Sequence, residues 1–375
     1  MINYFKSIPN TPRLIEGSNP ATWMLEVIGA GVETKQSSLP TNDFVQIFHA
    51  SLESEKLLND LAYHAQPHFV FGELVFAKKR AASSMTQFKM LTQRFFRMYW
   101  RTPSYNNTRL IISVVLAILF GLVYCHVDYA TFSGITGGVG MIFVTSYFIG
   151  LISFASVIPL AGEERASYYR ERASQTYNAL WYFVGSTSAE IPYVFATSFI
   201  FTIIYYPFVG LNESIGACLF YGYNLSMMVL MNVYWGQLMA YVSPTVEVAT
   251  LLAILQNSVF VLFMGFTPPA SQIPQGYQWL YHITPLKYSI SILTAETFAK
   301  CTDGSQLGCR LMKNVPPSVL KELNTTFVPV KQYIEYVYEM KYDDMALNIG
   351  ITIAYIVLFR VLAILSLRYV NYQKR

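Results

Sequence analysis

The segment Glu163 to Arg172 (EERASYYRER) packs both charge signs between two long apolar runs. Residues of opposite sign one helical turn apart support each other as i,i+4 pairs. The same pattern suits a short docking helix, because complementary charges fix register against a partner. Two further charges, Glu190 and Arg360, stand inside apolar runs. A charge at membrane depth is a functional-site candidate by default. An Arg at the centre of a span costs about 2.5–3.5 kcal/mol, but each Leu, Ile, Val or Phe returns roughly 0.3–0.6. The run Ile349–Leu367 therefore carries Arg360 as a span, and Arg360 lies close enough to the basic end to snorkel. Either charge then has a structural role or one in handling a proton or substrate.

Other chemistry is missing from the sequence. It contains no G-x-x-x-x-G-K-[ST] phosphate loop, no H-E-x-x-H and no nucleophile-elbow serine. Gly137, Gly138 and Gly140 open an apolar helix with no strand before them, which reads as helix packing. His64 and His68 are four apart, but Pro67 breaks the helical pair, so no metal site is expected. No cofactor and no nucleic-acid partner is expected for this chain, which has no basic block.

These residues need a scaffold that lives in lipid. Of 375 residues, 53% are hydrophobic and 13% charged, about half the charged share of a soluble domain. The mean hydropathy is +0.35. The fold class expected is an all-α polytopic membrane protein. Six spans are placed near 108–126, 137–160, 179–209, 215–241, 246–266 and 346–368. Pro192 and Pro207 predict a kinked or tilted third span. Residues 81–101 predict an amphipathic helix with a Phe88, Leu91, Phe95, Met98 stripe, lying at the membrane surface or packed as an ordinary surface helix. Upstream, residues 29–40 read as a linker, and Thr41, Asn42 and Asp43 offer an N-cap to a helix beginning at Phe44.

Short basic flanks orient the chain. Lys78, Lys79, Arg80, Arg94, Arg97, Arg101 and Arg109 precede span one. Arg165, Arg170 and Arg172 lie between spans two and three, and Arg368, Lys374 and Arg375 end the chain. One face collects all three groups, so both termini are expected in the cytoplasm and residues 267–345 outside. The first residues hold no apolar signal-peptide core, so an internal span is expected to direct insertion. Asn212 and Asn324 begin glycosylation sequons on the outer side, although Asn106 and Asn224 begin sequons elsewhere. Cys301 and Cys309 are placed to pair if their loop faces an oxidising space. The aromatic stretch Tyr277–Tyr288 is too apolar for a free loop; it dips into the membrane rim or forms a lid.

Several segments, in order, resemble one family. NPATWMLEV at 19–27 is similar to the stretch closing the second nucleotide-binding domain of pleiotropic-drug-resistance ABC transporters, the full-size branch of the G subfamily. YWRTPSYN at 99–106 resembles the entry to their second transmembrane domain. RASYYRERA at 165–173, with AEIPY at 189–193, resembles their first cytoplasmic loop and the helix after it. Gly265, Phe266, Pro269, Ile273, Pro274, Trp279, Tyr281, Pro285 and Tyr288 resemble the start of their large outer loop. The likeness runs from about residue 19 to the end and looks closest to plant and oomycete members.

The resemblance implies a six-helix ABC-2 type (type V exporter) transmembrane domain over 105–375. It also implies a connecting helix at 81–104, a linker at 29–80 and a nucleotide-binding-domain tail at 1–28. Glu163, Glu164, Arg165, Arg170, Glu171 and Arg172 would form the coupling loop. Thr145, Ile149, Ile152, Ile254, Asn257 and Ser258, on spans two and five, would line a substrate cavity. ATP and Mg2+ would bind nucleotide-binding domains absent from this chain. Its partners would be those domains, a second transmembrane half, the bilayer and a small amphipathic substrate, at the plasma membrane. Two rival readings are a non-transporting remnant acting as a membrane scaffold and an ion-coupled carrier using Glu190.

Overall fold

The computed structural model describes residues 2–9, 11–28, 44–65, 80, 82–211, 214–302, 304, 306–323 and 325–372. Of the expected linker 29–80, residues 29–43, with the N-cap candidates Thr41, Asn42 and Asp43, and 66–79 lie outside the described residues, as do Asn212, Asn324, His68, Lys78, Lys79, Lys374 and Arg375. The chain divides into two compact units, Met1–Lys79 and Arg80–Arg375.

The first unit holds α1 (Ile2–Ser7), α2 (Pro20–Val27), α3 (Phe44–His49) and α4 (Leu52–Ala65). Asn19 caps α2 by accepting from the Ala21 amide, and Pro20 suits the first turn. Trp23 is buried and donates its indole N–H to the Pro12 carbonyl at 3.0 Å, which satisfies its one polar atom.

The second unit is helical throughout its membrane part. It runs through α5 (Ser84–Arg101), α6 (Asn106–Tyr124), α7 (Phe132–Ala173), α8 (Ala179–Val209), α9 (Ile215–Val242) and α10 (Val246–Leu262). The segment beyond α10 carries α11 (Gln278–Ile283), α12 (Pro285–Thr294), a π-helical turn Ala295–Ala299, α13 (Pro317–Leu323) and α14 (Val330–Val337); α15 (Met345–Tyr369) follows. Among the described residues five helices, α6, α7, α8, α9 and α15, are long and apolar enough to cross a membrane, and α10 is an apolar helix of 17 residues. Seventeen residues sit at the lower limit for a span.

Three expectations need correction. The amphipathic helix starts at Ser84, capped by Ser83; of the expected stripe it buries Leu91 and Phe95 fully and Phe88 and Met98 in part, and Gln87 and Tyr99 join the buried face. That face packs on α8: Phe95 meets Tyr182 edge-on at 5.0 Å, and Gly185 leaves room for the Leu91–Thr92 backbone. Only its other side, with exposed Phe96 and Trp100, is free to meet lipid. Second, the fifth span ends at Leu262, not 266, because Gly265 turns the chain at φ +88°. A side chain there would also strike Tyr281 at 2.8 Å.

Third, the charged stretch 163–172 is neither a turn nor a loop. It continues α7, an unbroken helix of 42 residues with Pro159 inside it. At 1.5 Å per residue α7 is about 63 Å long, twice the roughly 30 Å hydrocarbon thickness. A helix of this length has room for its charged end to extend beyond the hydrocarbon layer.

The aromatic stretch 277–288 is helical and packs in part against the bundle. Exposed Trp279 and Ile283 lie on α11, while Pro285, Leu286 and Ile290 of α12 are buried. Asn348 of α15 donates to Ser291 Oγ at 3.2 Å, tying α12 to the last span.

Candidate functional site

The charged end of α7 is fastened to three other helices. Arg94 of α5 holds both carboxylate oxygens of Glu171 at 2.7 Å from Nη1 and reaches Glu164 Oε2 at 3.4 Å from Nη2. Burial alone would lower the Arg94 pKa; the Glu171 hydrogen bond and the Glu164 and Glu171 charges outweigh it and hold it above its usual value. Tyr177 donates to Glu171 Oε2 at 2.6 Å, and burial first, then Glu171, push its phenol up.

Arg165 and Arg172 of α7 do different work. Arg165 donates to the carbonyls of Ala240 at 2.9 Å and Pro244 at 2.8 Å, and to that of Ser243. These belong to the C-terminal end of α9, whose last carbonyls have no partner within the helix. Arg172 donates to Arg368 O at 3.0 Å and Leu367 O at 3.3 Å, serving the end of α15 in the same way. A cation at each helix C-terminus also complements its dipole. Glu163 and Arg170 remain exposed.

Deeper in the bundle lies a second polar cluster. Glu190 of α8 is fully buried and accepts from Tyr105 OH, from Arg109 Nη1 at 3.5 Å and from Gln237 Nε2 at 3.4 Å. Arg109 of α6 also donates to Ser153 O and Ser156 Oγ of α7, each at 3.0 Å, and stacks 4.3 Å over the Tyr105 ring. Arg360 of α15 donates to Thr187 Oγ1 at 2.6 Å, to Phe183 O at 3.0 Å, to Ser186 Oγ and to Gln237 Oε1. Gln237 of α9 thus bridges Glu190 and Arg360, and the cluster ties five helices together. Buried charges persist when paired or hydrogen-bonded: Glu190 and Arg109 pair with each other, and Arg360 is held by neutral acceptors alone. Arg360 points inward rather than snorkelling.

Sequence reasoning placed Glu190 and Arg360 at membrane depth but counted Arg109 as a basic flank. The missed signal is spacing: Tyr105 and Arg109 are one helical turn apart and share a face. A small void of about 10 Å3, lined by Glu164, Tyr182, Ser186, Gln237 and Tyr241 among others, lies between the two clusters.

The six cavity candidates do not share a surface. Thr145 and Ile149 are buried in the bundle, with Thr145 Oγ1 donating to Met141 O at 2.7 Å, and Asn257 is buried on α10. Ile254 and Ser258 are exposed and Ile152 is half-buried. The outward stripe of α7 instead carries Phe148, Ala155 and Pro159, and that of α10 carries Leu251, Leu255 and Leu262. Cys301 and Cys309 are joined by a disulfide.

Comparison with known proteins gives a consistent picture. Residues 86–298 match the ABC-2 type transporter family, and residues 315–375 match the CDR ABC transporter family. The whole chain is 28% identical to ABC transporter G family member 41 of Oryza sativa subsp. japonica and 28% to ABC transporter G family member 39 of Arabidopsis thaliana, spanning 25% of each. It is 26% identical over its whole length to Pleiotropic drug resistance protein 1 of Nicotiana tabacum, again spanning 25%. The chain thus covers about a quarter of the length of the curated relatives it matches.

Proposed function

This chain belongs to the ABC-2 type transporter family, and from that premise we propose that it forms one membrane half of an ATP-driven exporter of amphipathic, lipid-like molecules. The hydrolysis is supplied by nucleotide-binding domains outside the chain, where ATP and Mg2+ bind; the chain itself performs no enzymatic step. A second transmembrane half completes the pathway. The bilayer is the plasma membrane, with both termini in the cytoplasm and residues 267–345 outside.

One observation carries the mechanism. The projecting end of α7 is bound to α5 through Arg94, to the end of α9 through Arg165 and to the end of α15 through Arg172. Nucleotide-driven closure of the partner domains presses on exposed Glu163 and Arg170. The load passes at once to α5, α9 and α15, and the Glu190–Gln237–Arg360 cluster passes it between helices inside the membrane. Exposed Phe148 on α7 and Leu251 on α10 lie on the two stripes offered to the second half and to the substrate. Apolar walls suit amphipathic cargo.

The test is charge reversal in the full-length protein. Arg94→Glu removes the α5–α7 link and should leave ATP hydrolysis running while export falls at least about tenfold, the loss of one charge-assisted contact. Adding Glu171→Arg restores an opposite-charge pair and should recover part of the export. Normal export by Arg94→Glu would sink the proposal.

A further inference from the structure

At the end of the bundle away from Arg94, two cavities of about 500 Å3 and about 580 Å3 open around a single ion pair. Glu296, Lys300 and Gln306 line both, so the two cavities adjoin as lobes across these side chains. Lys300 Nζ donates to Glu296 Oε1 at 2.6 Å, and the Glu296 side chain is only 9% exposed. Glu296 sits on the π-helical turn Ala295–Ala299, a feature that recurs at functional sites. The disulfide-closed loop is pressed onto this turn. A Cβ at Gly308 would come within 2.5 Å of Lys300 O and 2.9 Å of Phe298 O. The wall bearing the ion pair is thus held from behind.

The first lobe is mainly polar, with Asp128, Thr297 and Arg310 added to the shared residues. Among the described residues the Arg310 guanidinium has no hydrogen-bond or ion-pair partner. Among the described residues, the charges lining the site are Lys300 and Arg310 against Glu296 and Asp128. The second lobe is partly apolar. Ala217 and Phe220 come from the first turns of α9, and Met345 opens α15. Both helices are long and apolar enough to cross a membrane, which would bring this lobe to the bilayer boundary. Neighbouring Ile215, Leu219 and Leu347 are exposed, as lipid contacts would be.

We propose that the two lobes form a site for a phospholipid with a zwitterionic amine–phosphate head group, taken from the leaflet at this end. The phosphate sits against Arg310 and Lys300, since guanidinium and ammonium groups are the usual phosphate partners. The head-group amine turns to Asp128 and Glu296. The glycerol and acyl portion leaves past Ala217, Phe220 and Met345 into the membrane. A purely apolar ligand would strip water from four charges without replacing it. A purely polar solute would leave the apolar lobe and its opening to lipid unused. The two volumes fall within the range of small-molecule sites, about 300–1,000 Å3. This inference requires only that α9 and α15 cross a bilayer, and it stands whether or not the chain exports anything.

The test uses full-length protein in nanodiscs of equal parts phosphatidylethanolamine and phosphatidylglycerol. After extraction into mild detergent, retained lipid is counted by native mass spectrometry. The wild type should keep phosphatidylethanolamine in preference. Arg310→Glu should reduce its retention about tenfold, as expected for a lost charge-assisted phosphate contact. Asp128→Asn should reduce phosphatidylethanolamine retention while leaving phosphatidylglycerol unchanged. Each variant must elute like wild type on size exclusion, and Asp128→Asn serves as the gentler substitution if Arg310→Glu does not. Wild-type retention in both variants overturns the proposal. So does a preference for phosphatidylglycerol, or equally strong binding of free phosphoethanolamine, which would assign the site to a soluble ligand.

Discussion

Glu190 and Arg109 meet where neither side chain is more than 1% exposed. Their attraction offsets a large desolvation cost, so the pair contributes little net stability while either member alone is a liability. Glu190→Gln leaves Arg109 buried without a counter-charge and should destabilise the protein by about 3–5 kcal/mol. Arg109→Met should do the same in reverse. The double variant removes both charges and should recover most of the loss, so the two effects are far from additive. Thermal unfolding of the purified full-length protein reads this directly; additive losses would show that the two side chains act independently. The identity of this pair was half legible. Glu190 stands out because its neighbours are apolar. Arg109 does not, because a basic residue at the mouth of a span is what topology rules expect at a cytoplasmic edge.

At the scale of elements, hydropathy located the spans but not where the helices stop. A window of apolar residues ends where charge begins, near Leu160, yet α7 continues to Ala173. The continuation depends on partners distant in sequence: Arg94 in α5, and the carbonyl ends of α9 and α15. No local pattern announces such contacts. The cavity candidates scatter between core and surface for a related reason. Position on a span says nothing of which face meets solvent, lipid or a neighbouring helix, so Thr145 fell in the bundle core. The glycine spacing reads as packing, which holds for Gly138 and Gly140 but not for Gly137, and only the structure separates tight sites from open ones. A Cβ on Gly236 of α9 would lie 2.7 Å from Val157 Cγ1 and 2.9 Å from the Phe154 carbonyl of α7. Backbone cannot yield as a flexible side chain can. Gly236→Ala should therefore cost about 1–3 kcal/mol through overpacking. Gly137, with nothing within 4 Å, is the control. Gly137→Ala should be neutral or stabilise by up to about 1 kcal/mol, because helical glycine loses more entropy than alanine. Equal unfolding midpoints for the two variants would show that α7 and α9 are not in tight contact.

For the whole molecule, the orientation argument and the mechanism depend on each other. Lys and Arg gather at the end bearing Arg94, Arg165, Arg170, Arg172 and Arg368, and the positive-inside rule is the ground for proposing that this end faces the cytoplasm. The proposed coupling requires the same placement, because ATP-hydrolysing partners must reach Glu163 and Arg170. A disulfide between Cys301 and Cys309 at the other end suits an oxidising exterior. Single cysteines can separate the two sides. The free thiols Cys125 and Cys218 are first replaced by alanine. Gly276→Cys then places a thiol in open space beyond α10, and Arg170→Cys places one on the exposed end of α7. In intact cells a membrane-impermeant maleimide should label Gly276→Cys at once and Arg170→Cys only after permeabilisation. The reverse pattern would place Arg94, Glu164 and Glu171 outside the cell, where no ATP-driven domain could act on them. Such a result would remove the coupling mechanism while leaving the helix bundle and its buried charge cluster intact.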